Sequence, residues 1–443
     1  MKLNSRITIL VGFAFLSISA FWQMYDNLIP LILTGTFKLN ETVSGVIMAA
    51  DNVLALFLLP FFGGISDRCN TKIGKRKPFI IFGTIAAVSL MNILPIIDNS
   101  YFAASAKWKA LLFIGILALL LISMGTYRSH AVALMPDVTP KPLRSKGNAI
   151  INLMGAVGGI LYLLANAVLY SESRVKGLEH INYQPIFFVV STIMLIALAI
   201  LIFFVNEPKL AKKQQEYENA HPEEVLTADT TDGKSKMPTA VKKSLIFLLL
   251  SVALWYIGYN GISTWFTVYA TTVWNMAPGS ASLCLTIAMA GAIISYIPVG
   301  NIASKIGRKL TILIGAAVLS LCFFAAFIFT LFSSSFHPAL YILFVLIGVA
   351  WAAINVNSLP MVVEMCSASE IGKFTGFYYT FSMAAQTITP IVAGYLLSNI
   401  SYKALFPYSA IFVALSFVTM LFVKHGDTKP VKKGMLESFD VED

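Results

Sequence analysis

Charged residues are scarce in this chain of 443 residues. Only 12% are Asp, Glu, Lys or Arg, while 57% are hydrophobic; a soluble domain has about 25% charged and about 45–50% apolar residues. So few charges cannot cover a soluble surface, which excludes an ordinary soluble enzyme. A disordered chain is excluded as well, because the abundant apolar surface favours burial. The composition predicts a protein that crosses a membrane several times.

Cysteines are also few, and they are scattered. Cys69, Cys284, Cys322 and Cys366 show neither a disulfide framework nor metal-ligand spacing. The chain also lacks a Walker loop, a nucleotide motif and a Ser-His-Asp set placed where chemistry could occur. We therefore expect no enzyme activity, no cofactor and no metal site. Without an ATP-binding motif, any uphill transport would have to draw on an ion gradient.

Twelve apolar segments are long enough to cross the bilayer, which takes about 20 helical residues each. They lie near 7–37, 42–65, 78–98, 109–136, 147–170, 184–206, 243–271, 278–303, 309–332, 338–363, 373–398 and 404–424. A polar segment between Asn206 and Lys243 separates six spans from six. The sequence thus predicts an all-α membrane protein with an N-terminal bundle (1–206), a central linker (207–242), a C-terminal bundle (243–424) and a tail (425–443).

The net charge of +10 reflects the topology. With both termini in the cytoplasm, 25 Lys and Arg residues lie on the cytoplasmic side and six on the other, and Arg128 lies inside a span. Cytoplasmic loops collect Lys and Arg in this way. The basic balance therefore predicts an inner or plasma membrane protein with cytoplasmic termini, and it requires no nucleic acid partner.

The two halves of the chain repeat one another in their loops. GGISDR at 63–68 and IGKRK at 73–77 follow the second span, and GNIASKIGRK at 300–309 follows the eighth. Two similar six-span halves are typical of carriers that rock about a central substrate site. The repeat predicts two pseudo-symmetric six-helix bundles.

The first copy of this loop resembles the signature of the major facilitator superfamily. More narrowly, SDRCNTKIGKRKPFI at 66–80 is similar to the same loop in plant sucrose:proton carriers and their bacterial and animal relatives, and the glycoside–pentoside–hexuronide:cation symporters carry a comparable insertion. The resemblance implies the major facilitator fold and proton-coupled transport of a disaccharide such as sucrose or maltose. We expect a monomer in the lipid bilayer.

Three ionisable residues lie deep within predicted spans. Asp26 is in the first span, Asp51 in the second and Arg128 in the fourth. Each such group costs roughly 2.5–3.5 kcal/mol to insert, so it needs a partner or a task. They are the candidate proton-coupling and substrate residues, with a purely structural ion pair as the alternative.

Aromatic and amide residues supply the candidate sugar contacts. Sugars stack their C–H faces on aromatic rings and bind amides through their hydroxyls. The candidates are Trp22, Tyr25, Asn52, Tyr256, Tyr259, Asn260, Trp351, Asn355, Asn357, Tyr379 and Gln386. Because Arg128 is the only buried cation, a neutral substrate fits better than an anionic one.

Charged residues at the predicted cytoplasmic ends of the spans form a candidate gate. Opposite charges at neighbouring helix ends can lock one conformational state and release it in the other. The candidates are Asp67, Arg68, Arg76, Asp137, Arg144, Arg308, Glu364 and Lys373. ALMPDV at 133–138 is similar to a signature of sucrose carriers whose acid is thought to carry the proton. Asp137 borders a loop, however, and its position favours gating.

The leading interpretation is import of a neutral glycoside with protons by alternating access. Sodium is an alternative coupling ion. A second interpretation is an exporter of drugs or metabolites in exchange for protons. The absence of proline from the span 147–170 argues against it, because major facilitator antiporters resemble one another in a Gly-Pro motif in this span. A membrane sensor of transporter descent is the interpretation outside the carriers, although the chain offers no sizeable soluble domain.

Overall fold

The chain is all-helical and forms two compact units. The computed structural model describes residues 4–69, 71–140, 143–220, 237–366 and 371–427. Unit 1 comprises Met1–Leu39 and Ala50–Leu226, and unit 2 comprises Asn40–Ala49 and Thr227–Asp443. Within the described residues, the one β-bridge joins Thr71 and Gly74.

Fourteen α-helices follow one another along these described ranges. The first eight are α1 (Ser5–Gly35), α2 (Glu41–Asp67), α3 (Lys77–Ala103), α4 (Lys107–Val138), α5 (Arg144–Leu169), α6 (Glu172–Val175), α7 (Gln184–Phe204) and α8 (Glu207–Ala220). The other six are α9 (Thr239–Val273), α10 (Pro278–Ile306), α11 (Arg308–Phe332), α12 (Leu340–Glu364), α13 (Ile371–Asn399) and α14 (Leu405–Leu421), and a 3-10 turn at Tyr402–Ala404 precedes the last.

Ten helical segments of the described chain are long and apolar enough to cross a membrane. Two further helices, α2 and α13, have 27 and 29 residues. Large apolar side chains remain exposed on the helices, among them Phe57 at 71%, Phe203 at 80% and Phe332 at 86%. A soluble protein would not leave so much apolar surface in water, whereas lipid accepts it. The prediction of a helical protein with many membrane spans is confirmed.

The helices pack in the same pattern in both units. In unit 1, α1 packs against α5 and α7, and α3 packs against α4 and α7. In unit 2, α9 packs against α13 and α14, and α11 packs against α12 and α14. These are corresponding helices of the sequence repeat, so the repeat seen in the loops extends to the packing of each half.

Local sequence signals account for several helix starts. The Asn4 side chain accepts a hydrogen bond from the Ile7 amide at 3.3 Å and so caps α1. Helices α3, α7 and α10 have proline in their first turn, where its missing N–H costs nothing.

A glycine permits the close packing of two helices in unit 1. At Gly158, a Cβ atom would lie 1.9 Å from the Leu16 carbonyl oxygen, so this glycine permits the close approach of α5 to α1.

The polar segment between the two sets of spans contains a helix that the sequence reasoning did not predict. Helix α8 occupies Glu207–Ala220, the first part of the expected linker. Two residues separate it from α7, which ends at Phe204. Its first residue, Glu207, is 3% exposed. The start of this segment therefore belongs to the packed part of unit 1.

Candidate functional sites

Asp26, Asp51 and Arg128, the three ionisable residues predicted to lie deep within spans, lie close enough to interact. Asp26 and Asp51 interact electrostatically with each other, and Arg128 interacts with Asp51. The Asn52 amide donates a hydrogen bond to Asp51 Oδ1 at 2.9 Å. The structure therefore brings α1, α2 and α4 together around one ionisable cluster, which we call the carboxylate cluster: Asp26, Asp51, Asn52 and Arg128.

Aromatic side chains of α1 border the carboxylate cluster. The Arg128 guanidinium lies 5.8 Å from the centroid of the Trp22 ring, within cation–π range. The Trp22 and Tyr25 rings meet edge to face at 5.5 Å. The indole nitrogen of Trp22 is buried and makes no hydrogen bond with the described residues. A polar ligand or water in this region would meet a donor there.

Tyr162 of α5 is a further neighbour that the sequence reasoning missed. Its side chain is fully buried and interacts electrostatically with Asp26. Its hydroxyl makes no hydrogen bond within the described part of the chain. A tyrosine in an apolar span carries no distinguishing sequence signal, since such residues also serve in packing and interfacial belts.

Unit 2 holds an aromatic cluster built from α9 and α12. The Tyr259 and Trp351 rings stack at 3.8 Å with an interplanar angle of 9°, and Tyr256 meets Trp351 edge to face at 5.4 Å. The Asn260 amide donates to the Tyr256 carbonyl at 2.8 Å. Tyr256, Tyr259, Asn260 and Trp351 thus form what we call the Trp351 cluster, which contains no charged side chain.

The other candidate sugar contacts of unit 2 have separate surroundings. Asn357 is 2% exposed and donates its amide hydrogen to the Ala353 carbonyl at 2.9 Å, within its own helix. Asn355 is 6% exposed. On α13, Tyr379 meets Tyr378 edge to face at 5.6 Å, and Gln386 is half-buried. Asn357 is therefore engaged locally.

An ion pair and a capping carboxylate lie together at one end of unit 1. Arg76 donates from Nε to Asp137 Oδ2 at 2.7 Å, and it also donates to Ser66 Oγ. Glu207 Oε1 accepts from the backbone amides of Lys75 at 2.6 Å and Arg76 at 2.9 Å, and Oε2 accepts from Lys77 at 3.0 Å. Because the free amides of a helix start attract anions, Glu207 stabilises the beginning of α3.

Gly74 makes this arrangement possible. Its φ of +124° is disfavoured for residues with a side chain, and a Cβ atom there would lie 2.1 Å from Glu207 Oε2. The Lys77 ammonium also donates to the Ile202 carbonyl at 3.2 Å, near the end of α7. Together these contacts tie the start of α3 to α4, α7 and α8.

Unit 2 repeats the same arrangement with different residues. Arg308 donates to the Glu364 carboxylate. The Lys309 amide donates to Asp427 Oδ1 at 2.8 Å, and its ammonium donates to the Leu421 carbonyl at 3.0 Å. Gly307 has a φ of +98°, as Gly74 has a positive φ in unit 1. The two copies differ in strength, since Asp427 accepts one backbone hydrogen bond where Glu207 accepts three.

The remaining gate candidates make contacts of other kinds. Arg144 donates to the carbonyls of Pro136 at 3.1 Å and Thr139 at 3.3 Å. The Lys373 ammonium lies 5.2 Å from the Phe374 ring centroid. Arg68 is exposed, and the side chain of Asp67 at the end of α2 lies outside the described part.

Glu207 and Asp427 were missed because they lie in segments that read as polar connections. A signal was present, since each is an acid shortly after the last span of its half. In each half the signature loop also offers a glycine followed by basic residues, whose backbone amides an acid can cap. Pairing these features across the repeat would have identified both carboxylates.

Comparison with solved structures places this fold among membrane transporters. A bacterial homologue of the iron transporter ferroportin, crystallised in an inward-facing state, has a TM-score of 0.68 at 13% identity and covers 95% of this chain and 99% of its own. The nucleoside transporter NupG has a TM-score of 0.65 at 13% identity, with 94% and 100% covered. These structures share the all-helical fold of this chain over nearly its whole length.

Sequence comparison identifies the family. The profile described as "Major Facilitator Superfamily" matches residues 11–277 and 248–438. The chain belongs to this superfamily and is a transporter, not an enzyme.

Two kinds of relatives are similar to the chain. Multidrug resistance protein MdtG of Citrobacter koseri is 22% identical over 408 residues, 90% of this chain and 89% of the relative. Sucrose transport protein SUC3 of Arabidopsis thaliana is 28% identical over 144 residues, 30% of this chain and 24% of the relative.

Proposed function

We propose that the chain imports a neutral glycoside, such as the disaccharides sucrose or maltose, together with protons by alternating access. The observation that supports this proposal is the number of acidic and basic side chains in the carboxylate cluster. The cluster holds two carboxyl groups, Asp26 and Asp51, which interact with each other, and one guanidinium, that of Arg128, which interacts with Asp51. One bound proton therefore makes the cluster neutral, and a neutral cluster costs less to enclose in a low-dielectric interior. Proton binding would thereby favour the state that reorients.

The Trp351 cluster supports a neutral, ring-shaped substrate. Its aromatic rings offer apolar faces for sugar C–H groups, and Asn260 offers an amide for a hydroxyl group. None of its members carries a charge that an anionic substrate would need. The similarity to SUC3 and the loop at 66–80 agree with this substrate class.

The proposed topology follows the charge distribution. The protein would cross the inner or plasma membrane twelve times, with both termini in the cytoplasm. The halves 1–206 and 243–424 would be joined by the linker 207–242, and the tail 425–443 would follow the second half. The two ion pairs, Arg76–Asp137 and Arg308–Glu364, would then lie at the cytoplasmic ends and form and break during the cycle. We propose a monomer as the working unit and keep sodium as the alternative coupling ion.

Export of amphipathic compounds is the second candidate. It is favoured by the similarity to the multidrug resistance protein, which extends over 90% of this chain. The aromatic rings of the Trp351 cluster would bind such compounds through apolar and cation–π contacts.

Transport into proteoliposomes separates the two candidates. Labelled sucrose and maltose should accumulate when the outside is acidic, and a proton carrier that collapses the gradient should abolish accumulation. A panel of disaccharides that never accumulates, alongside gradient-driven movement of cationic dyes, would replace the first proposal with the second. Accumulation that follows sodium and ignores the proton gradient would instead change the coupling ion.

A further inference from the structure

An apolar groove lies on the surface of unit 2 between α11, α13 and α14. It has a volume of about 440 Å³ and is lined by apolar side chains that include Phe327, Leu396, Ile400, Ile411 and Phe412. Ile400 is 68% exposed and Ile411 is 58% exposed. The groove lies at the ends of three long apolar helices, where the acyl chains of a bilayer would be the available apolar partners.

A second pocket with more hydroxyl groups, which we call the basin, adjoins the groove. The basin has a volume of about 590 Å³, and its lining includes Thr330, Ser333 and Ser334. Ser401 and Lys403 line both the groove and the basin. An apolar channel thus continues into a region of hydroxyl groups, and a lysine lies where the two meet.

The charges around this junction favour a phosphate. Lys403 is exposed, and its ammonium makes no ion pair or hydrogen bond with the described residues. It is the only Lys or Arg in the connecting segments 274–277, 333–339 and 400–404 at this end of unit 2. Glu41, a carboxylate that contacts this turn, accepts the hydrogen of the Tyr402 hydroxyl and makes no ion pair with Lys403.

We propose that this junction binds one phospholipid, with an acyl chain in the groove and its phosphate against Lys403. The Ser334 and Ser401 hydroxyls of the basin would donate to the phosphate and ester oxygens, since hydroxyl groups can serve as donors to such acceptors. The acyl chain gives affinity that any diacyl lipid would share, whereas the lysine gives preference for a phosphate. The site is independent of the sugar and proton sites proposed above.

Native mass spectrometry of the purified full-length chain tests this proposal. The probes are dioleoylphosphatidylglycerol, dioleoylglycerol, which has the same chains without phosphate, and glycerol 3-phosphate, which has no chains. We expect one phosphatidylglycerol to be retained about fivefold better than dioleoylglycerol, since a basic side chain near a lipid phosphate contributes on that scale. Glycerol 3-phosphate should not compete.

Matched variants assign the two halves of the site. Lys403→Gln should remove the fivefold preference, and Lys305→Gln, which deletes an exposed lysine elsewhere in unit 2, should keep it. Ile411→Gln should weaken retention of both lipids, and Leu415→Gln, one turn further along α14, should not. Equal retention by Lys403→Gln and Lys305→Gln, competition by glycerol 3-phosphate, or no retained lipid would each overturn the proposal.

Discussion

The capping of α3 by Glu207 provides a sharp quantitative prediction. Glu207→Gln keeps the shape of the side chain but replaces one carboxylate oxygen with an NH2 group. At least one of the three backbone N–H groups of residues 75–77 then faces a donor instead of an acceptor. The substitution also removes the negative charge from the start of the helix.

The free-energy cost of Glu207→Gln follows from the buried position of Glu207, which is only 3% exposed, so water cannot replace the lost contacts. Losing a hydrogen bond to a charged group costs about 1.5–3 kcal/mol, and losing the favourable interaction with the helix dipole costs about 0.3–1 kcal/mol. The combined loss of about 2–4 kcal/mol favours local opening by about 30- to 700-fold, since about 1.4 kcal/mol corresponds to a factor of ten.

Hydrogen exchange of the peptide covering residues 75–77 measures this opening directly. Its protection should fall by about 30-fold or more in Glu207→Gln. The matched control is Glu216→Gln on the same helix, whose carboxylate lies 3.8 Å from Lys212 in an exposed pair worth about 0.3–0.5 kcal/mol. If protection at 75–77 is the same in both variants, Glu207 does not hold the start of α3.

Three further predictions follow from the contacts. Gly74→Ala should lower the thermal unfolding temperature, because the added Cβ would collide with Glu207. The control Gly64→Ala should leave that temperature unchanged, because no atom lies within 4 Å of the added Cβ. Asp427→Asn should lower amide protection at the start of α11 less than the Glu207 change does at α3, since one hydrogen bond is affected. Trp351→Ala should raise the half-saturating sugar concentration by about two- to tenfold, whereas the fully packed Trp274 should affect folding when replaced.

The helical, membrane-spanning character of the chain was accessible from sequence because membrane insertion imposes long apolar runs. The repeat in the signature loops likewise indicated two similar halves, and the helices of each unit pack in corresponding patterns. These features depend on local composition and spacing. The sequence therefore predicted the helical membrane protein well.

The partners of individual side chains were less accessible. Sequence placed Arg76 and Asp137 among the same group of gate candidates, but their pairing depends on how α3 and α4 pack. Tyr162 joins the neighbourhood of Asp26 only because α5 packs closely on α1 through Gly158. The hydrogen bond from the Asn357 amide to its own helix was likewise not evident from the sequence. Such contacts depend on tertiary geometry that no local pattern encodes.

Sugar-dependent proton movement is the most direct test of the proposed coupling. Adding sucrose or maltose to energy-depleted cells that produce the protein should make the medium more alkaline, because protons enter with the sugar. Asp51→Asn should abolish this signal and uphill accumulation while sugar exchange continues. Sugar accumulation without proton movement, or full proton movement in Asp51→Asn, would contradict the assignment of the carboxylate cluster as the coupling site.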